Sequence, residues 1–249
     1  MRDLAVVSNL LREEMTRDKP LAIVVAGHNG SGKSSLWYNH LADDLQMPLA
    51  NADRLTLSLL PPPGSDDQLR PWAIRLRDED ERWQRLSQQS VQVFLELTMK
   101  YRLPFAFETV FSHFEAQPDG SIKSKADLIR KLQAQDYRVA LLFVGLSSAE
   151  LSILRVATRR RQGGHDVPED KLRSRFPRTQ QAIRLAAEIA DITFMFDNSR
   201  GIVNAFTPVR AQRQSEIIYD CRNPNQNADA ALVEAAGGWL AKVAPDYWA

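Results

Sequence analysis

The sequence predicts an α/β fold: a parallel sheet with helices on both faces, organised around a phosphate-binding loop. Three observations carry this expectation. Gly27-His28-Asn29-Gly30-Ser31-Gly32-Lys33-Ser34 fits the pattern G-x-x-x-x-G-K-[ST] without a mismatch. An apolar run from Leu21 to Ala26 precedes it and reads as a buried parallel strand. Leu36, Trp37, His40, Leu41 and Leu45 follow at helical spacing, so a helix runs from Lys33 to Leu45 with its N-terminus aimed at the loop.

The other elements follow in order. Leu4, Val7, Leu10, Leu11 and Met15 form a helical stripe that Asp18-Lys19-Pro20 ends. The stripe is read as packing on its own domain, with partner docking as the alternative. Residues 47–53 make a short strand ending in Asn51-Ala52-Asp53, and Pro61-Pro62-Pro63-Gly64 breaks the chain. One long helix is expected over residues 68–101. Its charged first part is a solvated face, and its later part packs on the sheet through Val91, Val93, Phe94, Leu95 and Leu97. Residues 104–109 form a third strand, and Asp119-Gly120 turns a polar insertion. A helix over 124–135 directs Ala126, Leu128, Ile129 and Leu132 inward. Residues 137–144 are the strongest buried-strand signal. Helices from Ser148 and Pro168 flank Gly163-Gly164, and residues 191–196 supply a fifth strand. The tail carries an Asn-rich turn and a closing helix.

This alternation implies right-handed crossovers and a site at the carboxyl ends of the strands, where Gly27, Asp53 and Glu108 converge. A chain of 249 residues suits one P-loop NTPase- and kinase-like domain over 1–249. Its appendages are an N-terminal helix (1–20), an arginine-rich helical lid (155–178) and a C-terminal extension (200–249). With 32 Lys and Arg against 31 Asp and Glu, global charge makes no case for nucleic acid or an anionic membrane. No apolar run approaches the roughly 20 residues of a membrane span. The single cysteine, Cys221, allows no intrachain disulfide, is read as a passive thiol and fits a cytoplasmic protein.

The loop binds phosphate by a known route. Its glycines let successive N–H groups converge on one anion, Lys33 reaches the β- and γ-phosphates, and the Ser34 hydroxyl holds Mg²⁺. Gly27, His28, Asn29, Gly30, Ser31, Gly32, Lys33, Ser34 and Ser35 are thus the expected ATP-binding set. No Asn/Thr-Lys-x-Asp segment marks a guanine reader, and the strand ends Ala50–Asp53 and Phe105–Glu108 lack the run of four apolar residues ending in Asp or Asp-Glu that ATPase motors carry. A small-molecule kinase needs a carboxylate to take a hydroxyl proton and arginines on a mobile lid. Asp53 and the arginines between residues 155 and 178 answer that description. Arg155 and Arg159, four apart, share one helix face, where like charges need an anion between them. Arg159 and Arg175 are the first candidates for phosphate clamps, Arg155 and Arg173 the next, with one of the set reserved for a surface ion pair. Gly163-Gly164 suits a lid hinge. His113 and His165 lack a second ligand at zinc spacing. Asp197-Asn198-Ser199 reads either as an adenine-side contact or as a turn.

Taken in order, the phosphate loop, Asn51-Ala52-Asp53, Phe107-Glu108-Thr109-Val110-Phe111-Ser112-His113, Gly163-Gly164-His165-Asp166-Val167-Pro168-Glu169, Arg173-Ser174-Arg175-Phe176 and Phe196-Asp197-Asn198-Ser199 resemble the zeta-toxin family of phosphate-loop kinases, in its branch without a fused antitoxin. The resemblance spans residues 21–199. It implies ATP- and Mg²⁺-dependent phosphorylation of a nucleotide-sugar hydroxyl, best known for UDP-N-acetylglucosamine, with toxicity restrained by a small antitoxin. It makes Asp53 the catalytic base, against the alternatives of a helix N-cap or a metal-water ligand. Glu108 becomes a reader of the acceptor, against a buried carboxylate paired with arginine, with Asn51 and Thr109 beside it. Val110 and Ser112 depart from the family's Thr and basic residue, which leaves the acceptor open. Two other readings stand beside this one: a kinase of another nucleotide metabolite such as a dinucleotide, and a non-kinase ATPase or nucleotide-binding module acting through partners.

Overall fold

The computed structural model describes residues 3–64, 69–161 and 167–245. Helix α1 (Leu4–Met15) is capped by the Asp3 carboxylate, which accepts from Ala5 N–H. It buries Val7 and Leu11, with Leu4, Leu10 and Met15 packed at the core margin, so its stripe is covered by the protein itself. Strand β1 (Leu21–Gly27) is buried throughout. The helix after the loop is interrupted: α2 (Lys33–Leu36) passes through a π-helical turn (Trp37–Leu41) into α3 (Ala42–Leu45). Of its expected apolar face, Leu36, Trp37, Leu41 and Leu45 are buried, whereas His40 is exposed.

Strand β2 (Leu49–Ala50) leads into α4 (Ala52–Leu57). The expected single helix over 68–101 is two, α5 (Pro71–Glu79) and α6 (Glu81–Lys100). Asp80 divides them: its backbone is extended and its carboxylate accepts from Arg82 and Trp83 N–H, which starts a new helix. On α6, Val91, Phe94, Leu95 and Met99 pack on the core. Val93 and Leu97 do not; they are 54% and 48% exposed, because helical spacing turns them to another face.

Strand β3 (Phe105–Thr109) is followed by a hairpin, β4 (Phe114–Ala116) and β5 (Ile122–Ser124), which occupies the polar insertion. Helix α7 (Ala126–Ala134) buries Ala126, Ile129 and Leu132. Next come β6 (Arg138–Gly145), α8 (Ala149–Arg161), α9 (Glu169–Ile189) and β7 (Ile192–Asp197). The chain ends in β8 (Thr207–Arg213), β9 (Glu216–Asp220) and α10 (Ala230–Val243).

The main sheet runs β2-β3-β1-β6-β7-β8-β9. Its first five strands are parallel, as expected, and β8 and β9 add an antiparallel edge. Those two were not legible because β8 reads Thr-Pro-Val-Arg-Ala-Gln-Arg, yet Arg210 and Gln212 are buried. Arg210 is neutralised by Asp220 across the pair and donates to Gln212 Oε1 at 2.8 Å. Such burial is tolerable only once the partner strand is in place. Among the described residues, no helix is long and apolar enough to cross a membrane.

Candidate active site

The phosphate loop leaves β1 at Gly27 and enters α2 at Lys33. A Cβ at Gly27 would stand 2.6 Å from Ser31 Oγ and 2.7 Å from the Val144 carbonyl. Gly32 has φ +92°, and a Cβ there would meet Asn198 Nδ2 at 2.8 Å. Both sites therefore demand glycine, one for space and one for conformation as well. Side chains from outside the loop hold two of its carbonyls. Ser152 Oγ on α8 donates to Asn29 O at 2.7 Å, and Asn198 Nδ2 donates to Ser31 O at 2.8 Å. Since C=O and the next N–H of a planar peptide point oppositely, these anchors turn the Gly30 and Gly32 N–H groups the other way, as an anion nest requires.

Lys33 is buried and donates from Nζ to His28 O at 3.0 Å. The same ammonium lies 3.8 Å from Glu108 Oε1. Glu108 reaches it because β3 lies beside β1, with Glu108 in register with Val25. Its other oxygen accepts from Ser34 Oγ at 2.7 Å and from Asn51 Nδ2 at 2.6 Å. Lys33, Ser34, Asn51 and Glu108 thus form one contiguous cluster built from three strand ends. Thr109, adjacent to Glu108, is turned to its own loop and accepts from Phe111 N–H at 3.4 Å.

Asn51 also caps α4, accepting from Arg54 N–H at 3.0 Å while Leu55 N–H donates to its carbonyl. The cap is therefore Asn51, not Asp53, which removes the helix-cap alternative. Asp53 lies in the first turn of α4, and its side chain lies outside the described part of the structure.

The lid arginines divide. Arg155 is half-buried against the loop, its Cβ 3.0 Å from where a Cβ on Gly30 would stand. Burial pulls its guanidinium below the ordinary arginine range, with Asp197 opposing the shift. Arg175 is half-buried on α9, and Arg159 is exposed one turn beyond Arg155. Arg173 pairs with Glu150 at 2.6 Å and Glu169 at 2.8 Å, so it is the arginine engaged on the surface. The hinge pair Gly163-Gly164, with His165 and Asp166, lies outside the described residues.

Ser152 escaped the sequence reading because a serine inside a helical stretch carries no positional signal. Asn198, expected as an adenine contact or a turn, donates its amide to the Ser31 carbonyl of the loop. Cys221 is buried, and burial with the nearby Asp220 pushes its thiol up to about 12, which keeps it protonated and inert. Among the described residues, no group of three or more His, Cys, Asp or Glu side chains is arranged to hold a metal.

No protein-family model and no curated protein matches this sequence. Solved structures do match it. A protein of the PezAT chromosomal toxin–antitoxin system of Streptococcus pneumoniae aligns over 98% of this chain and 87% of its own, at 13% identity and TM-score 0.52. This chain shares the fold of that protein. The AvrRxo1-ORF1:AvrRxo1-ORF2 complex shares it. Its ATP-containing form aligns over 90% of this chain and 68% of that one, at 15% identity and TM-score 0.55. The sulphate-containing form gives 90%, 69%, 14% and 0.57. In this chain's sheet, the phosphate loop, the β2 exit and the β3 exit meet at one edge, where the cluster around Glu108 lies.

Proposed function

We propose that this protein is an ATP- and Mg²⁺-dependent kinase that phosphorylates a hydroxyl of a nucleotide sugar, with UDP-N-acetylglucosamine the first acceptor to test. The observation that carries this reading is the Ser34–Glu108–Asn51 cluster beside Lys33, which joins a donor-binding loop to a carboxylate and an amide at the next strand exits. The residues fit the donor. The glycine cradle leaves no room for side chains, and Ser34 and Glu108 offer the hydroxyl and carboxylate oxygens that Mg²⁺ prefers. Mg²⁺ held by these oxygens would supply positive charge against that of the ATP phosphates.

The remaining roles belong to the chain. Lys33 and the half-buried Arg155 and Arg175 stabilise negative charge on the transferring phosphoryl group. Asp53 takes the proton of the acceptor hydroxyl as its oxygen bonds to phosphorus and the β,γ-bridging oxygen departs with ADP. The Ser34 contact favours a place for Glu108 on the metal side over pure reading of the acceptor. Asn51 lines the acceptor side, and Thr109 stands beside Glu108 with its hydroxyl turned to its own loop. A second reading, a kinase of another nucleotide metabolite, is favoured by Val110 and Ser112. Toxicity under a small antitoxin, which the resemblance implies, and a cytoplasmic site of action, which the single cysteine supports, complete the proposal.

Incubation with γ-labelled ATP and a panel of nucleotide sugars and nucleotides tests it. Label on a UDP-sugar supports the first reading, and label only on another metabolite supports the second. Label released only to water, unchanged by Asp53→Asn, sinks both. Mass spectrometry of nucleotide extracts from cells expressing wild type or Lys33→Ala would name the acceptor as the species gaining one phosphoryl group.

A further inference from the structure

His28, the second residue of the phosphate loop, is held by more than the loop pattern requires. Its side chain is 2% exposed and lies flat on Phe176 of α9, ring centroids 3.8 Å apart and planes 10° from parallel. Its edge meets Phe143 of β6 at 5.8 Å and 73°. Neither ring nitrogen has a hydrogen-bond partner, so the ring is retained by its faces. Burial and the neighbouring Lys33 lower its pKa to about 3, which leaves it neutral in any physiological medium. A neutral imidazole with both nitrogens unpaired behaves here as an aromatic plate. The backbone of the same residue accepts the Lys33 ammonium. His28 is therefore gripped on one side by the phosphate-binding lysine and on the other by the lid helix.

Phe176 belongs to a series of contacts along α9. Leu172, one turn earlier, packs with Val156 of α8 and with Val167 at the lid base. Thr179, three residues later, donates to the Val110 carbonyl in the loop after β3 at 3.4 Å. The first half of α9 thus touches, in order, the lid base, the phosphate loop and the exit of the Glu108 strand. Arg175 immediately precedes Phe176 and moves with it.

We propose that His28 is a positioning residue: by stacking on Phe176 it fixes the first turns of α9 against the phosphate loop and so sets where Arg175 stands relative to the bound phosphates. The role of Arg175 in phosphoryl transfer rests on the kinase reading above. The coupling of loop to helix does not. Stacking through ring faces requires a flat ring and no nitrogen, so phenylalanine should replace histidine while alanine should not.

The test uses the full chain with His28→Ala, His28→Phe, Phe176→Ala and the double alanine variant. Amide hydrogen exchange should rise about tenfold or more over residues 169–178 in His28→Ala and Phe176→Ala, with residues 182–189 unchanged and His28→Phe restored to wild type. Unchanged exchange in His28→Ala overturns the coupling. With the acceptor found above, kcat should fall about tenfold while KM for ATP moves less than about threefold, since the loss is one of alignment. The double variant should be no worse than either single change, and His28→Ala should add nothing in an Arg175→Ala background. If His28→Phe restores exchange but not kcat, the ring nitrogens act chemically and the proposal is wrong. If His28→Ala fails to fold, Phe176→Leu, which keeps bulk without a flat ring, should reproduce the kcat loss; wild-type kcat in that variant also overturns the proposal. Absence of transfer by the wild type sinks the kinase reading alone, because the exchange data still decide the coupling.

Discussion

Trp239 Nε1 donates to Asp197 Oδ1 at 3.2 Å, tying the last helix to the carboxyl end of β7. The indole lies so close to the strands that a Cβ on Gly145 would meet it at 2.5 Å. Asp197 in turn accepts from Ser199 Oγ at 2.7 Å, ordering the turn from which Asn198 reaches the phosphate-loop carbonyl of Ser31. The C-terminal extension is therefore mechanically continuous with the phosphate loop.

Removing that indole should be costly. Trp239→Ala is expected to lower unfolding free energy by roughly 3–5 kcal/mol, the usual loss for a large buried aromatic, in urea denaturation. Titration with ATP should show weaker binding even where the variant is fully folded, because the Asn198 turn loses its support.

The N-terminal helix is fastened by a buried carboxylate. Glu14 is 0% exposed and contacts Arg17 at 3.1 Å, Arg138 at 2.7 Å and Arg213 at 2.9 Å. Glu14→Ala leaves guanidinium groups facing one another without their anion. Because those arginines keep partial access to solvent, a loss of about 1.5–3 kcal/mol in denaturant melts at neutral pH is expected.

His28 should give stability a specific pH dependence. Its folded pKa of about 3 lies below the ordinary 6.5, so between those values the unfolded chain binds the proton and the folded chain does not. The contribution is complete above pH 6.5 and is lost as pH falls toward 3, at up to about 1.4 kcal/mol per pH unit. His28→Phe should remove this slope. Comparing the two proteins between about pH 6 and 5 separates it from carboxylates such as Asp220, held low against the opposing cost of burial by Arg222 and Arg210, which lose their contribution at lower pH.

Glu108→Gln keeps the shape of the cluster and removes its charge. The Mg²⁺ concentration for half-maximal phosphoryl transfer is expected to rise about tenfold, with a smaller change in KM for ATP at saturating Mg²⁺. An unchanged Mg²⁺ requirement together with a raised acceptor KM would return Glu108 to the acceptor-reading role.

Much of the architecture could be read directly. The runs at residues 21–26, 104–109, 137–144 and 191–196 are strands because continuous apolar segments of that length, bounded by turn residues, fit strands buried on both faces. The phosphate loop was legible because its glycines and lysine sit at fixed sequence spacing. Val93 and Leu97 misled because hydrophobicity alone does not say which helix face meets the sheet. Strand β8 was hidden by Arg210 and Gln212, whose burial depends on partners distant in sequence. The lid residues 162–166 were legible as a motif and lie outside the described structure.

By itself, the sequence determined the phosphate loop, the succession of parallel strands and the identity of the charged residues near their ends. These depend on local spacing, which one chain carries in full. Only the tertiary structure decided that Glu108 bonds Ser34, that Asn51 caps α4, that Arg173 is engaged on the surface and that His28 lies against Phe176. Each of these joins or separates groups through contacts whose partners local spacing does not name. Which pairs meet is set by strand order and helix packing, and no local pattern encodes that order.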